Sequence, residues 1–302
     1  MPSYQRMKSV LPAVAVLSAA TLGSACVVVD SQGHIVHDEK RFTVSGAPDL
    51  HLTTFDGAIE VRSGEGRDIV VEIEKRGPTQ ESVERLEILS NQQGNRIDLE
   101  VKKPSGDTVL FGIGHNMSPS VKFIVTMPKE GNVAARSGDG SIHIEHITGR
   151  LDLRTGDGSI RGTDVSGQMT INTGDGSVTL DGVDGDVEVE TGDGGVSVAG
   201  KLGVVRAHTG DGSVTFRAAA GSTMKDDWSI TTGDGGVAVY LPSDFGAQLD
   251  AHTGDGTIRS ELPLNSGGDN QVSRRTVRGN LGSGGKVLKI RTGDGDIRLK
   301  VS

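Results

Sequence analysis

The frame Ser/Thr-Gly-Asp-Gly recurs eight times, starting at Ser137, Thr155, Thr173, Thr191, Thr209, Thr232, Thr253 and Thr292. The first five starts are 18 residues apart. A period of this size makes each copy one supersecondary unit, which cannot bury an apolar face alone and must stack on its neighbours. Five residues after each of these five starts stand Ile142, Ile160, Val178, Val196 and Val214. Seven after stand Ile144, Leu180, Val198 and Phe216, with Gly162 the exception. Ten after come Ile147, Val165 and Val183, fourteen after Leu151, Met169, Val187 and Val205, and sixteen after Leu153, Ile171, Val189 and Ala207. Spacings of two are those of strands with one face in and one face out. The pattern predicts an all-β fold, a β-solenoid with one two-stranded coil per ~18-residue Thr-Gly-Asp-Gly repeat.

Glycines on either side of one polar residue suit a turn that needs positive φ, and a carboxylate there can accept hydrogen bonds from turn amides. Asp139, Asp157, Asp175, Asp193, Asp211, Asp234, Asp255 and Asp294 are therefore expected to be structural turn residues. In register they form an acidic ridge, which leaves ordered calcium as a second reading because hard cations prefer oxygen ligands.

Aromatic residues are only 3% of the chain against 45 glycines, so the core must be thin and aliphatic. The formal net charge of -9 argues against nucleic acid as a partner. Residues 41–128 contain alternating stretches such as Ile69-Val-Val-Glu-Ile73 and Val121-Lys-Phe-Ile-Val125, joined by polar loops. They are expected to form a less regular N-terminal β region capping the solenoid of residues 129–302. Thr54-Phe-Asp-Gly57 reads as a worn copy of the repeat.

Arg6 and Lys8, an apolar stretch from Val10 to Leu22 and the small residues before Cys26 have the pattern of a signal peptide over 1–25. Cys26 is the only cysteine and resembles the lipidated cysteine of bacterial lipoproteins, which implies a membrane anchor there. An ordinary cut after Ala25 is the alternative. Residues 26–40 read as a tether. Both readings imply export to the cell envelope, as a membrane-anchored lipoprotein or as a periplasmic or secreted protein.

Phe55-Asp-Gly-Ala-Ile-Glu-Val61, Met127-Pro128, Leu241-Pro242 and the closing Leu281-Gly-Ser-Gly-Gly-Lys-Val-Leu-Lys-Ile-Arg-Thr-Gly-Asp-Gly-Asp-Ile297 resemble a bacterial family of β-strand-repeat proteins, the "putative adhesins", a family of unknown function. The resemblance covers roughly residues 42–301. It implies architecture and supplies no catalytic residues.

No Ser-His-Asp arrangement, phosphate loop or catalytic cysteine is recognisable, and no enzyme, cofactor or metal site is expected. His208 and His252 both precede a repeat Thr, two starts apart, which regular stacking separates by about 10 Å, too far for one ion. His143 is expected to point outward, and Trp228 shares the offset of the inward Leu151 and Val187. The apolar loop 107–119 is expected to fold back onto the cap. The expected function is a non-catalytic envelope scaffold or adhesin-like module binding an envelope protein or polymer. The alternative is a regulatory or stress-sensing envelope protein with a signalling partner. A calcium-binding surface protein and a polysaccharide-acting β-helical enzyme rank below both.

Overall fold

A computed structural model describes residues 26–30, 33–102, 118–265 and 271–302. The leader over 1–25 and most of the 107–119 loop lie outside the described residues. Within them the chain is all-β apart from the five-residue helix α1 (Gln80–Glu84). The strands before the regular repeats are β1 (Cys26–Asp30), β2 (Gly33–Thr43), β3 (Asp49–Thr53), β4 (Ile59–Gly64), β5 (Asp68–Gly77), β6 (Glu87–Gln93), β7 (Arg96–Lys102) and β8 (Ser120–Pro128). Next come β9 (Asn132–Arg136), β10 (Ile142–Glu145), β11 (Thr148–Thr155), β12 (Ile160–Thr163), β13 (Ser166–Thr173), β14 (Val178–Thr191) and β15 (Val196–Thr209). The series ends with β16 (Val214–Ala218), β17 (Trp228–Thr232), β18 (Val237–Leu241), β19 (Ala247–Thr253), β20 (Ile258–Ser260), β21 (Leu264–Asn265), β22 (Gln271–Val272), β23 (Thr276–Leu281), β24 (Val287–Thr292) and β25 (Ile297–Val301).

These strands make two layers around one core. In the first layer β6, β7, β3, β9, β11, β13, the second half of β14, the second half of β15, β17, β24, β19 and β23 are successive neighbours. In the second, β1, β2, β5, β8, β4, β10, β12, the first halves of β14 and β15, β16, β18, β25 and β20 follow one another. β14 and β15 run round the corner between the layers and join them into one nearly closed sheet. Through the regular coils the pairing is parallel and 18 residues apart, as in Ile142↔Ile160↔Val178↔Val196 and Leu151↔Met169↔Val187↔Val205. The inward columns expected from the period-2 spacing are all buried. The gap at Gly162 is filled by its neighbour: a Cβ there would lie 2.8 Å from Leu180 Cδ2.

Both ends are closed by antiparallel strands. β6 pairs antiparallel with β7, while β5 pairs antiparallel with β8 and β2. β23 pairs antiparallel with β19. The segment read as a tether is not extended free chain: β1 and β2 form a hairpin, Asp30 opposite Gly33 and Cys26 opposite His37. β3 and β4 belong to the stack itself, each parallel to the first regular coil.

The last coils do not stack in chain order. β24 and β25, the final strands, insert between β17/β18 on one side and β19/β20 on the other. The repeat threonines therefore stack as Thr209, Thr232, Thr292, Thr253. A clasp holds the inserted coil. Asp250 Oδ1 accepts from Arg278 Nε at 2.9 Å, its Oδ2 accepts from Arg291, and Arg291 also donates to the Asp250 carbonyl at 2.7 Å. Partial burial pushes the Asp250 carboxyl up, but its bonds to Arg291 and Arg278 outweigh this and hold it below the ordinary value of 3.8. A carboxyl depressed by folding adds stability above its unfolded pKa, and that stability is lost as pH falls through the folded value. Asp250→Asn should therefore lower stability at neutral pH and leave a shallower decline below about pH 4. Urea unfolding of both proteins across the acid range checks this; parallel pH profiles would remove the clasp from the account.

Candidate binding surface

Each repeat begins with a side chain that enters the core. Thr155, Thr173, Thr191, Thr209, Thr232, Thr253 and Thr292 are all buried. Each hydroxyl reaches back to the preceding coil of the stack. Thr191 Oγ1 donates to the carbonyls of Gly174 and Gly176 at 3.2 and 3.1 Å, and Thr209 Oγ1 to those of Gly192 and Gly194 at 3.2 and 3.0 Å. Ser137 Oγ does the same to the Gly57 carbonyl at 2.9 Å, which makes Thr54-Phe-Asp-Gly57 the preceding rung. Thr191→Val keeps the shape and deletes a buried donor, so it should cost about 1–2 kcal/mol. Thr179→Val, on the exposed face, should cost under about 0.5 kcal/mol. Equal losses in denaturant unfolding would mean the hydroxyl ladder adds nothing.

The glycines are needed for a different reason from the expected one. Gly174 and Gly176 are not among the positive-φ residues. Close approach between coils excludes a side chain: a Cβ on Gly176 would lie 2.0 Å from the Gly158 carbonyl oxygen, and one on Gly174 would lie 2.7 Å from that of Gly156. In the turn elements positive φ is found at Gly57 and Gly256, whereas in the regular coils it falls at the far corner, at His146, Asp164 and Gly182, and again at Gly149, Gly167 and Gly185. That second 18-residue glycine series stands in the sequence and was the signal for the corner.

The eight aspartates, Asp139, Asp157, Asp175, Asp193, Asp211, Asp234, Asp255 and Asp294, lie in one exposed row along the edge of the stack. The expected bonds from turn amides are not formed. Among the described residues only Asp255 has a side-chain partner, Arg275 at 3.3 Å. Asp56 extends the row, and partial burial followed by the charge of Asp139 raises its carboxyl above the ordinary value. Among the described residues no three His, Cys, Asp or Glu side chains converge closely enough to hold a metal ion.

Insertion of the last coil changes the histidine geometry. His208, Thr231, Arg291 and His252 are successive neighbours, so His208 and His252 are three rungs apart rather than two. His143 Nε2 meets Glu145 Oε1 at 2.7 Å, and His146 Nε2 meets Asp164 Oδ2 at 3.3 Å. Trp228 is fully buried, and its Nε1 donates to the Gly203 carbonyl at 2.8 Å.

Beside the ridge, the outer face of the first layer carries a shallow groove of ≈ 670 Å³. Residues that directly precede the repeat Ser or Thr of successive coils line it: Arg136, Arg154, Asn172, Glu190 and His208. Strand alternation puts these side chains outward, and parallel register puts them in one row. The groove was not anticipated from the sequence, although the five positions share one offset in the repeat.

Parallel coils closed by antiparallel caps around one aliphatic core define a β-solenoid-like protein. The chain belongs to the Toastrack DUF4097 family, whose model matches residues 48–300. No curated protein matches it. Among solved structures, it is similar to a "putative lipid binding protein" from Parabacteroides distasonis ATCC 8503, at 13% identity and a TM-score of 0.45, covering 87% of this chain and 96% of that one. A "putative adhesin" from Bacteroides fragilis NCTC 9343 gives 12% identity and a TM-score of 0.39 over 87% and 96% of the two chains. A "putative cell adhesion protein" from Clostridium sporogenes ATCC 15579 gives 14% and 0.29 over 88% and 100%.

Proposed function

We propose that this chain is a non-catalytic binding protein of the cell envelope, exported and held to a membrane through a lipid on Cys26. Its unit is one coil per 18-residue repeat, so each repeat adds one residue to every outward row of a continuous face. The observation that carries the reading is the groove beside the ridge, where Arg136, Arg154, Asn172, Glu190 and His208 form a row from five stacked coils. A row of single polar side chains at strand spacing suits an extended partner, an envelope protein or polymer, better than a compact substrate. The acidic balance of the chain is unfavourable for nucleic acid.

Arg154→Glu with Asn172→Glu should abolish the partner recovered by crosslinking wild-type protein in intact envelopes, while the unfolding midpoint stays unchanged. Recovery of the same partner by both proteins would place binding elsewhere. Anchoring has its own check. Cys26→Ser should move the protein from the membrane to the soluble fraction without unfolding it. A mature N-terminus lacking acyl mass would refute the anchor and leave the groove untouched.

A further inference from the structure

The last repeat starts, Thr209, Thr232, Thr253 and Thr292, are spaced more widely than 18 residues, yet the sheets stay in register. β21, β22 and β23 take up part of the extra length in the antiparallel cap on β19, and other inserted residues lie on the third side of the coils, between the second layer and the first. There the segments 219–227, 242–246 and 282–286 come together around a surface cavity of ≈ 410 Å³. In stacked repeats, insertions that gather on one side are where a site can depart from the repeat without disturbing the core.

Part of the lining is apolar. Met224, Pro242 and Phe245 line the cavity, and Phe245 is held against the buried Trp228 with ring centroids 5.3 Å apart. One wall is the turn Gly282-Ser-Gly-Gly-Lys286. Gly282, Gly284 and Gly285 have φ of 51°, 71° and 133°, while Ser283 does not have positive φ. Backbone amides of a glycine turn can receive an anion where no protein carbonyl takes them. Gly284 N is used by the Leu281 carbonyl at 2.9 Å, but the amides of Ser283 and Gly285 have no acceptor among the described residues. Lys286 adds a positive charge, part of which is felt by Asp226 outside the cavity. Another wall carries Asp244, whose carboxylate has no side-chain or backbone partner among the described residues, and the hydroxyls of Thr223 and Ser283 are likewise unengaged.

We propose that this cavity binds a small zwitterionic group. Its anion sits at the Gly282–Lys286 turn, its ammonium at Asp244, and its carbon skeleton on Met224, Pro242 and Phe245. Asp244 disfavours a bare anion and Lys286 a bare cation, so charge alone selects a ligand carrying both. This chemistry is shared by free phosphoethanolamine and by a phosphatidylethanolamine headgroup. The site is separate from the groove beside the ridge, and neither depends on the other.

The test uses the mature full chain in calorimetric titration with phosphoethanolamine, inorganic phosphate and ethanolamine. Saturable binding of phosphoethanolamine is expected, at least about tenfold tighter than either half-ligand, a difference of about 1.4 kcal/mol. Lys286→Gln and Asp244→Asn, both on exposed loops, should each weaken it by a similar factor with unchanged unfolding midpoints. Arg154→Glu in the groove should leave it unaltered. Flotation with phosphatidylethanolamine vesicles against phosphatidylcholine vesicles separates the sources: selective flotation assigns the lipid headgroup, and solution binding without flotation assigns the free compound. Absence of saturable phosphoethanolamine binding would overturn the proposal, as would binding indifferent to both variants or matched by phosphate alone.

Discussion

Gly176→Ala is expected to cost about 3 kcal/mol or more, the upper range for forcing atoms into a packed interior. The added Cβ would meet the Gly158 carbonyl oxygen at 2.0 Å and Thr173 Oγ1 at 2.7 Å. The first of these is backbone, held in a parallel ladder on both sides, so no side-chain rotation relieves the clash and the coils themselves must part. Parting them stretches the Thr173 and Thr191 hydroxyl bonds at the same place. Gly174→Ala, with its Cβ 2.7 Å from the Gly156 carbonyl oxygen, should cost less. Gly195→Ala should change stability by under about 0.5 kcal/mol, since its Cβ would lie 3.6 Å from the nearest atom, the Ser213 carbonyl oxygen. Asp175→Asn should be similarly mild because the exposed carboxylate holds nothing in place. Denaturant unfolding of the four variants gives the order directly. Equal effects at Gly176 and Gly195 would show that coil contact does not govern the glycine requirement.

Deleting residues 287–302 should unfold the C-terminal coils rather than fray one end. Leu288, Ile290, Ile297 and Leu299 are fully buried, and burying such side chains contributes about 1.5–3 kcal/mol each, together comparable with the whole stability of a domain. Their loss also strips β17 and β18 of one partner and β19 and β20 of another. In a stack each coil is stabilised by its immediate neighbours, so the damage should remain local. Limited proteolysis of the deletion variant should cut within 233–286 while the coils from Thr54 to Thr209 stay protected. Ile290→Ala should reproduce part of the effect, at about 2–5 kcal/mol. Val301→Ser, at a residue 47% exposed, should not. A deletion variant as resistant as the parent across 233–286 would contradict the inserted position of the last coil and favour stacking in chain order.

The 18-residue period and the two-residue spacing inside it were enough to place the strands, the inward aliphatic columns and the exposed row of aspartates. These follow from alternation along one strand and from repetition of one offset, both local properties. Thr54-Phe-Asp-Gly57 was legible as a worn copy for the same reason. The role of the glycines was misread because a Gly-Asp-Gly element looks alike whether it serves φ or close approach. Only the distance to the next coil separates the two, and Gly176 against the Gly158 carbonyl decides it. The groove residues each look like ordinary outward strand positions until parallel register lines them up.

The order of the last coils was decided by tertiary structure alone. Copies of one tetrapeptide offer interchangeable edges, so the Thr232 coil could pair as well with Thr253 as with Thr292 as far as the local pattern goes. What selects the inserted arrangement is the fit of distant groups: the Asp250 clasp on Arg278 and Arg291, and the β23 strand that covers β19 from the other side. The cavity formed by 219–227, 242–246 and 282–286 depends on that choice, since the segment leading into the final coil supplies one of its walls. A repeat in the sequence specifies what each coil is made of, whereas loop length and long-range packing specify which coil it touches.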